Sequence, residues 1–446
     1  MAVSVAPTRE DAFARWASPV LGGPAGRRLA DPGHPWWSPA RVLLLLAGLT
    51  SALAVLYGTL GGRPGTMLGM DAATPDGLGQ PALTTYLASL LAAVVAPVEE
   101  LSQRVAPAAE GVDAGARVYF DLFAVLAGLA LVAAVLAVVR LSGRRPWDAT
   151  LVAVSPVFVL SGLVSFDVLG VALGVVGVAV WARGHPLLAG VLLGAAVSAR
   201  IHVVLVLLAL VLLAVRARSL HPVATTCSAA VASWSAVNLP LALLSPTAWT
   251  APARSWWAAE PGYGSLQLLP RLAADEQVAG ARGLGAGEAT VATTVLTLLL
   301  LAAVTVWVLS SRRPPRLPLV VLVLLVGTLL AGKTVPVQAS LWLLPWAALA
   351  VPVWRDHLWW WAAEALYVVG VWQYLVGLSD ADRALPAGFY ALLLVLRLAA
   401  MGWLGAQAWR LGLRPARDPV LASAGGADPA AGPLGVQGDR RVLAPG

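Results

Sequence analysis

Long apolar segments dominate this chain, and they restrict what it can fold into more than any other feature. A helix needs about 20 mainly apolar residues to span a bilayer, and fewer where it ends in a protein-lined cavity. Twelve segments meet these conditions and predict an all-α polytopic membrane protein. They are residues 42–60, 119–139, 149–165, 168–182, 186–199, 203–215, 223–243, 290–310, 317–332, 337–353, 358–377 and 388–409.

The composition excludes several other classes of protein. Only 12% of the 446 residues are charged, about half of the roughly 25% found in soluble globular proteins. This proportion excludes a soluble enzyme and a disordered protein. The net charge of +7 comes from arginines scattered in short loops, so no nucleic-acid partner is expected. The single cysteine, Cys227, excludes a disulfide framework and a cysteine-based metal site.

The distribution of arginine predicts how the segments are oriented. If residues 82–98 do not span, the short loops on one side hold ten arginines, whereas those on the other hold Arg200, Lys333 and Arg383. Arginine and lysine accumulate in cytoplasmic loops, so the first side is predicted to be cytoplasmic, together with both termini. Residues 82–98 then lie in the first outer loop as an interfacial or re-entrant helix.

This topology divides the chain into three parts. A polar cytoplasmic N-terminus covers residues 1–41, and a transmembrane domain covers residues 42–410. Two large outer loops are expected within that domain, at 61–118 and 244–289. The remaining residues, 411–446, are rich in alanine, glycine and proline without apolar periodicity. They predict a disordered cytoplasmic tail.

The few ionisable residues on the predicted outer side indicate a candidate site. Asp167 lies in a turn between short helices, and Arg200 and His202 lie in another. Helices of 13 or 14 residues span only about 20 Å, so this second turn should lie below the membrane surface beside a cavity. Lys333, the only lysine, occupies a third outer turn. Sunken cations suit an anionic phosphate, and a nearby carboxylate suits a general base.

Simpler roles remain open for these residues. Asp167 also fits a helix cap, Arg200 a snorkelling side chain, and His202 a hydrogen-bonded structural residue. Glu364 and Arg397 lie in the middle of the last two helices at similar depth. They predict a structural ion pair between neighbouring helices.

Several stretches, in the same order, resemble the actinobacterial membrane glycosyltransferases of family 87, which include α-mannosyltransferases. These are GT-C-type enzymes that use polyprenol-phosphate sugars. The resemblance covers roughly residues 82–410. The stretches are GRRPWDATLVAVSP and its continuation to SAR (143–200), VNLPLALLSPTAW (237–249), WWAAEPGYGSL (256–266) and GKTVPVQASLWLLPWAALA (332–350).

The resemblance implies a GT-C-like helical bundle that transfers a sugar with inversion on the outer face of the plasma membrane. The donor would be a polyprenyl monophosphate sugar, such as mannose or arabinofuranose, with mannose favoured. The acceptor would be a cell-envelope glycolipid or polysaccharide. A monophosphate leaving group needs cations and not necessarily a metal, so the resemblance implies no metal and no cofactor. Inversion needs one base on the acceptor hydroxyl.

The resemblance also implies roles for individual residues. Asp71 is the best match for the catalytic base in the first outer loop, and Asp76 is the next. Arg200 stands where the family has a lysine, and Lys333 matches the other lysine of the family. Both, with His202, would hold the donor phosphate. The residues expected to line the site are Asp167, Arg254, Trp257, Glu260, Tyr263 and Gln338.

The first outer loop departs from the family pattern. The stretch MLGMDAATPDGLGQPALTTY (67–86) lacks the cysteine, two tyrosines and glutamate of the family, and Gln338 is displaced by one position. These changes predict either a divergent substrate or a catalytically inactive member. A transporter or flippase of lipid-linked sugars is another alternative, since short interrupted helices also suit transporters. The one-sided charges and the lack of an evident inverted repeat argue against it.

Overall fold

A computed structural model describes residues 38–61, 80–105, 114–377 and 385–435. Within these residues the chain is helical and forms no β-strand. Seventeen α-helices are defined there, joined in places by short 3₁₀ turns. They are α1 (Pro39–Leu60), α2 (Ala82–Val105), α3 (Ala114–Leu141), α4 (Thr150–Ala153), α5 (Pro156–Ser161), α6 (Asp167–Ala182), α7 (Pro186–Ala199), α8 (Val204–Ala217), α9 (Leu220–Leu244), α10 (Pro246–Ala258), α11 (Leu269–Asp275), α12 (Ala286–Ser310), α13 (Leu317–Ala331), α14 (Ser340–Ala350), α15 (Trp354–Gly377), α16 (Ala387–Leu413) and α17 (Pro419–Ser423).

Five of the described helices are long and apolar enough to span a membrane, namely α1, α3, α9, α12 and α16. Shorter apolar helices accompany them, including α6, α7 and α13. The all-helical class is therefore confirmed, and the long apolar helices are consistent with a membrane protein. Each of the twelve predicted segments falls on helical structure, but the number of spans and their orientation stay predictions. So does the interfacial or re-entrant placement of residues 82–98, which belong to α2.

Burial separates a central layer of helices from a peripheral one. Helices α13 and α14 are buried on nearly all sides. By contrast, α1 and α12 expose apolar side chains such as Leu45 and Leu298. A helix that is apolar all round belongs either in a large core or in lipid. Both cases occur here, and the exposed apolar faces mark the surface that a bilayer would cover.

Glycines bring two of the short helices into close contact with their neighbours. A Cβ atom at Gly190 or Gly194 of α7 would overlap the carbonyl oxygen of Thr226 or Ala230 in α9. Gly177 of α6 likewise lies against Leu193 of α7. Small residues four positions apart allow helix backbones to approach closely in membrane proteins. This packing holds the C-terminal end of α7, from which Arg200 follows.

The segment 149–165, predicted as one span, is interrupted in the structure. Helix α4 ends at Ala153, and α5 begins anew at Pro156, with the Ser155 hydroxyl accepting a hydrogen bond from the Val157 N–H at 3.2 Å. Proline has no N–H to continue a helix and suits the first position of a new one. The hydroxyl of Thr50 in α1 donates to the carbonyl of Ala153 at 2.6 Å, which satisfies the helix end.

The prediction of a disordered tail over residues 411–446 is wrong for residues 411–435. Helix α16 continues to Leu413, and a 3₁₀ turn, α17 and a further 3₁₀ turn follow. The indole of Trp181 in α6 donates to the carbonyl of Ala431 at 3.1 Å, so the tail packs against the bundle. Residues 436–446 lie outside the described part.

One buried arginine fastens the tail to the bundle. The Arg316 side chain is 2% exposed and donates from Nε to Oδ2 of Asp418 at 2.6 Å. Its other nitrogens donate to the carbonyls of Leu349 and Ala350, at the end of α14, at 3.0 and 3.1 Å. Asp428 accepts from the first backbone N–H of α13 at 2.8 Å. These contacts are specific and few. The composition of the tail and its lack of apolar periodicity therefore gave no indication of them.

Candidate functional site

Helix ends from four distant parts of the chain meet at one end of the bundle, here called the Arg200 end. Asp167 begins α6, and Arg200 follows α7. Trp342 lies in the first turn of α14, and Gln80 lies two residues before the start of α2. The turns predicted to be sunken therefore do come together, as the alternation of short helices requires.

Asp167 and Arg200 form an ion pair at the centre of this cluster. The Asp167 side chain is 1% exposed, and its Oδ1 contacts Nε of Arg200. Its Oδ2 accepts a hydrogen bond from the Trp342 indole N–H at 2.9 Å. The Nη2 of Arg200 donates to Oε1 of Gln80 at 3.3 Å. Sequence analysis placed the two charges in one site, but it did not predict that they pair.

A glycine makes room for the arginine. A Cβ atom at Gly170 would lie 3.1 Å from Cγ and 3.2 Å from Cβ of Arg200. Gly170 is three residues after Asp167 and therefore on the same face of α6. The Arg200 side chain consequently lies along the first turn of α6, where it reaches the carboxylate.

His202 belongs to the same cluster through an aromatic contact. Its buried ring stacks on the Trp342 indole, with 4.2 Å between ring centroids and an angle of 13° between planes. Within the described residues, its Nδ1 atom has no hydrogen-bond partner. Trp342 thus joins His202 on one side to Asp167 on the other. Sequence analysis missed Trp342 and Gln80, although Trp342 stands in the stretch that resembles the family.

Lys333 is engaged with a different set of partners. Its ammonium donates to the carbonyls of Trp257 and Ala259 at 3.2 and 2.9 Å, and to the Thr290 hydroxyl at 2.7 Å. An ammonium has three donors, so all of them are used. The side chain is fully buried and lies 4.6 Å from the centroid of the Trp256 ring. Burial lowers the pKa of Lys333. Its role toward a phosphate stays a prediction that requires these bonds to open.

Lys333 and its neighbours hold residues 244–289, predicted to form the second outer loop, against the bundle. The Gly262 N–H donates to the Lys333 carbonyl at 2.8 Å, and the Ser265 hydroxyl donates to the Gly332 carbonyl at 2.7 Å. At Gly264 a Cβ atom would overlap the carbonyl oxygen of Val335. The two loop stretches that the sequence assigned to one site are therefore in direct contact.

Two of the predicted lining residues pair within the second outer loop. Arg254 donates to the carbonyl of Thr247, two turns earlier on the same face of α10, at 2.7 Å. Glu260 accepts from Arg271 at 3.1 Å, and both side chains are exposed. Surface pairs of this kind contribute little to stability. Neither residue contacts the Asp167–Arg200 pair in the structure.

The remaining lining residues lie around the same loop. Trp257 is 60% exposed, and Tyr263 is also exposed, with its ring 6.1 Å from that of Tyr374. Gln338 is half-buried in the 3₁₀ turn Val337–Ala339 that precedes α14. Their participation in a site stays a prediction. Asp71 and Asp76, the expected bases, lie outside the described residues.

The predicted pair of Glu364 and Arg397 is confirmed. Oε2 of Glu364 accepts from Nε of Arg397 at 3.0 Å, and both side chains are buried. Arg397 also donates to the Ser340 hydroxyl at 3.0 Å and to the carbonyls of Pro336 and Val337 at 3.2 and 3.1 Å. The pair joins α15 to α16 and holds the turn that leads into α14.

No model of a known protein family matches this chain, and no curated protein matches it. Its function is therefore argued from the chemistry of the Arg200 end.

Proposed function

We propose that the protein is an integral membrane glycosyltransferase of the polyprenol-phosphate-sugar-dependent kind. It moves a sugar, with mannose the first candidate, from a polyprenyl monophosphate donor to a cell-envelope glycolipid or polysaccharide. Transfer proceeds with inversion on the outer face of the plasma membrane. The observation that carries the proposal is the Asp167–Arg200 pair, which lies among helix ends and is hydrogen-bonded to Gln80 of the first outer loop.

Arg200 has the chemistry needed for the donor phosphate. A guanidinium offers five N–H donors in a rigid fork that matches phosphate oxygens. Nε of Arg200 is taken by Asp167 and Nη2 by Gln80. Within the described residues Nη1 has no partner, and the side chain is 15% exposed. Asp167 and Gln80 thus fix the position of the guanidinium group, and its Nη1 can donate to an anion that enters from the membrane.

The sequence distance from Gln80 supports a base in the predicted first outer loop. Asp76 precedes Gln80 by four residues in the sequence. Four residues span at most about 14 Å, so the chain keeps Asp76 within that distance of a residue bonded to Arg200. Asp167 does not fit the role of base, because both of its oxygens are engaged by Arg200 and Trp342. This favours Asp76 or Asp71 for proton removal from the acceptor hydroxyl.

The test is a transfer assay with purified full-length protein, a radiolabelled polyprenyl-phosphate mannose and a membrane acceptor fraction. Loss of a general base lowers the rate by at least about a hundredfold, so Asp71→Asn or Asp76→Asn should do so. The matched control is Asp275→Asn, an exposed carboxylate in α11, which should leave transfer unchanged. Unchanged transfer in both loop variants contradicts the base assignment.

Other outcomes distinguish the alternatives. Movement of the labelled lipid across proteoliposomes without sugar transfer would identify a transporter or flippase. A cell envelope that is unaffected when Arg200→Ala and Lys333→Ala are combined would identify a catalytically inactive member. Failure of the wild-type protein to transfer any sugar from polyprenyl phosphates would overturn the proposal itself.

A further inference from the structure

A second concave region lies at the opposite end of the bundle. Helix α12 connects the two ends of the bundle. Its first turns carry Thr290 beside Lys333, and it extends over 25 residues, or about 37 Å. The loop after α12 and the end of α16 form a groove of about 400 Å³. Arg312 and Arg313 line one side of it, and Leu413 and Pro415 line the other.

A larger cavity adjoins this groove. Its volume is about 840 Å³, and Arg313 and Pro415 line both spaces. Trp181 and Leu213 form apolar walls from the bundle, and Leu434 forms one from the folded tail. Arg316 and Asp428, which are engaged in the contacts of the tail, also line the cavity. A ligand that fits both spaces therefore meets two exposed arginines at the groove and mainly apolar walls in the cavity.

The charge at the groove has no compensating carboxylate among the described residues. Arg312 and Arg313 are exposed, and neither has a side-chain partner in the described part of the chain. The two tail carboxylates within residues 411–435 are engaged elsewhere: Asp418 binds Arg316, and Asp428 accepts backbone N–H groups. Exposed Arg414 lies next to the groove residue Leu413 and adds to the positive field.

Two buried donor groups contact residues that line the groove. Arg216 of α8 donates from Nη2 to the carbonyl of Ser311, which lines the groove, at 2.8 Å. Its buried Nε atom has no partner within the described residues. The same is true of the indole N–H of Trp307, whose ring packs against the groove residue Gly412. Buried donors without partners are costly, so positive charge and unpaired donors both concentrate behind this groove.

We propose that this groove and cavity bind an anionic phospholipid. The headgroup phosphate lies between Arg312 and Arg313. Each guanidinium group can donate two parallel N–H hydrogen bonds to phosphate oxygens. An acyl chain enters the cavity between Trp181, Leu213 and the folded tail. Basic pockets between membrane helices are a recurring form of anionic lipid site. This site is separate from the Arg200 end and does not depend on the proposed sugar transfer.

The test measures lipid binding to delipidated full-length protein in detergent. The probe is fluorescent phosphatidylglycerol, with phosphatidylcholine as the neutral comparison. Phosphatidylglycerol should bind more tightly, and Arg312→Gln with Arg313→Gln should weaken it by about tenfold or more, as loss of charge-assisted contacts predicts. Arg140→Gln with Arg144→Gln removes the same charge from two exposed arginines outside the groove, and should keep the wild-type affinity.

Two results would overturn the proposal. One is an equal effect of both double variants, because the preference would then reflect overall charge. The other is displacement of the lipid by inorganic phosphate at the concentration of the lipid itself, since a free phosphate would then be the better ligand. All four arginines are exposed, so the thermal unfolding temperature should be unchanged in each variant. This measurement shows that the compared variants are folded.

Discussion

The Asp167–Arg200 pair shows how a costly charge can be kept inside a membrane protein. A buried ion pair offers little net stabilisation, because desolvation of both charges offsets their attraction. Here each partner has a further hydrogen bond, from the Trp342 indole to Asp167 and from Arg200 to Gln80. Both charged side chains thus have partners. A substitution that removes only one of them leaves the other charge buried and unpaired.

We expect Arg200→Met to lower the free energy of unfolding by about 3 kcal/mol, because the buried carboxylate of Asp167 loses its cation. Adding Asp167→Asn should recover part of this loss, since no unpaired charge then remains. The measurement is chemical denaturation in detergent micelles. Arg254→Met, at an exposed arginine of α10, is the control and should stay within about 0.5 kcal/mol of wild type. Equal stability of the two arginine variants would contradict the expectation.

The contacts of Lys333 account for the presence of a lysine in a chain whose other basic residues are arginines. It is the single lysine of the chain, and its ammonium meets three acceptors that converge from different elements. A compact ammonium suits such a convergent set, whereas the planar fork of arginine does not. Its rarity singled the residue out in the sequence, and its role toward a phosphate stays a prediction. The partners that decide its role lie 43 to 76 residues away and are not visible in its neighbourhood.

Helices α7 and α9 pack in close contact. The glycines of α7 meet the α9 backbone directly, and the Asn238 side chain of α9 donates to the Ser198 hydroxyl of α7 at 2.9 Å. Ser198 lies two residues before Arg200. Helix packing and the position of the candidate phosphate ligand are therefore coupled.

We expect Gly194→Ala to destabilise the protein by about 1–3 kcal/mol, because the new methyl group overlaps the Ala230 carbonyl and forces α7 away from α9. Gly48→Ala on α1 meets nothing within 4 Å and should be neutral or stabilising by up to about 1 kcal/mol. Thermal unfolding in detergent compares the two. A melting temperature as high in Gly194→Ala as in Gly48→Ala would show that the helices can separate without cost.

The bundle as a whole has two differently built ends. At one end, polar turns and the second outer loop surround Arg200 and Lys333. At the other, the folded tail packs on the bundle through Arg316 and leaves a cavity beneath it. The chain thus carries a candidate catalytic region and a candidate lipid site at a separation set by the length of α12.

We expect truncation after Leu413 to lower the free energy of unfolding by about 3 kcal/mol or more. The buried guanidinium of Arg316 then loses the carboxylate of Asp418. Truncation after Gly435 keeps every described tail contact and should leave stability unchanged. The single substitution Asp418→Asn should reproduce much of the larger loss. Equal stability of both truncated chains would show that the tail contributes nothing to the fold.

The sequence by itself determined the helical class and the pairing of Glu364 with Arg397, and it located helices that are long and apolar enough to span a membrane. These follow from long apolar segments and from charges at equal depth, which are local properties. The prediction of a disordered tail was wrong for residues 411–435. Contacts with Arg316 and Trp181 order these residues, and such contacts leave no periodic pattern in the sequence.

Only the tertiary structure decided which polar groups meet. It joined Asp167, Arg200, Gln80 and Trp342, and it engaged Lys333 with the second outer loop. The physical reason is that a buried polar group must find partners where the packed helices place them, at any distance along the chain. Apolar burial is non-directional and can be predicted from pattern, whereas hydrogen bonds are directional and depend on the finished packing.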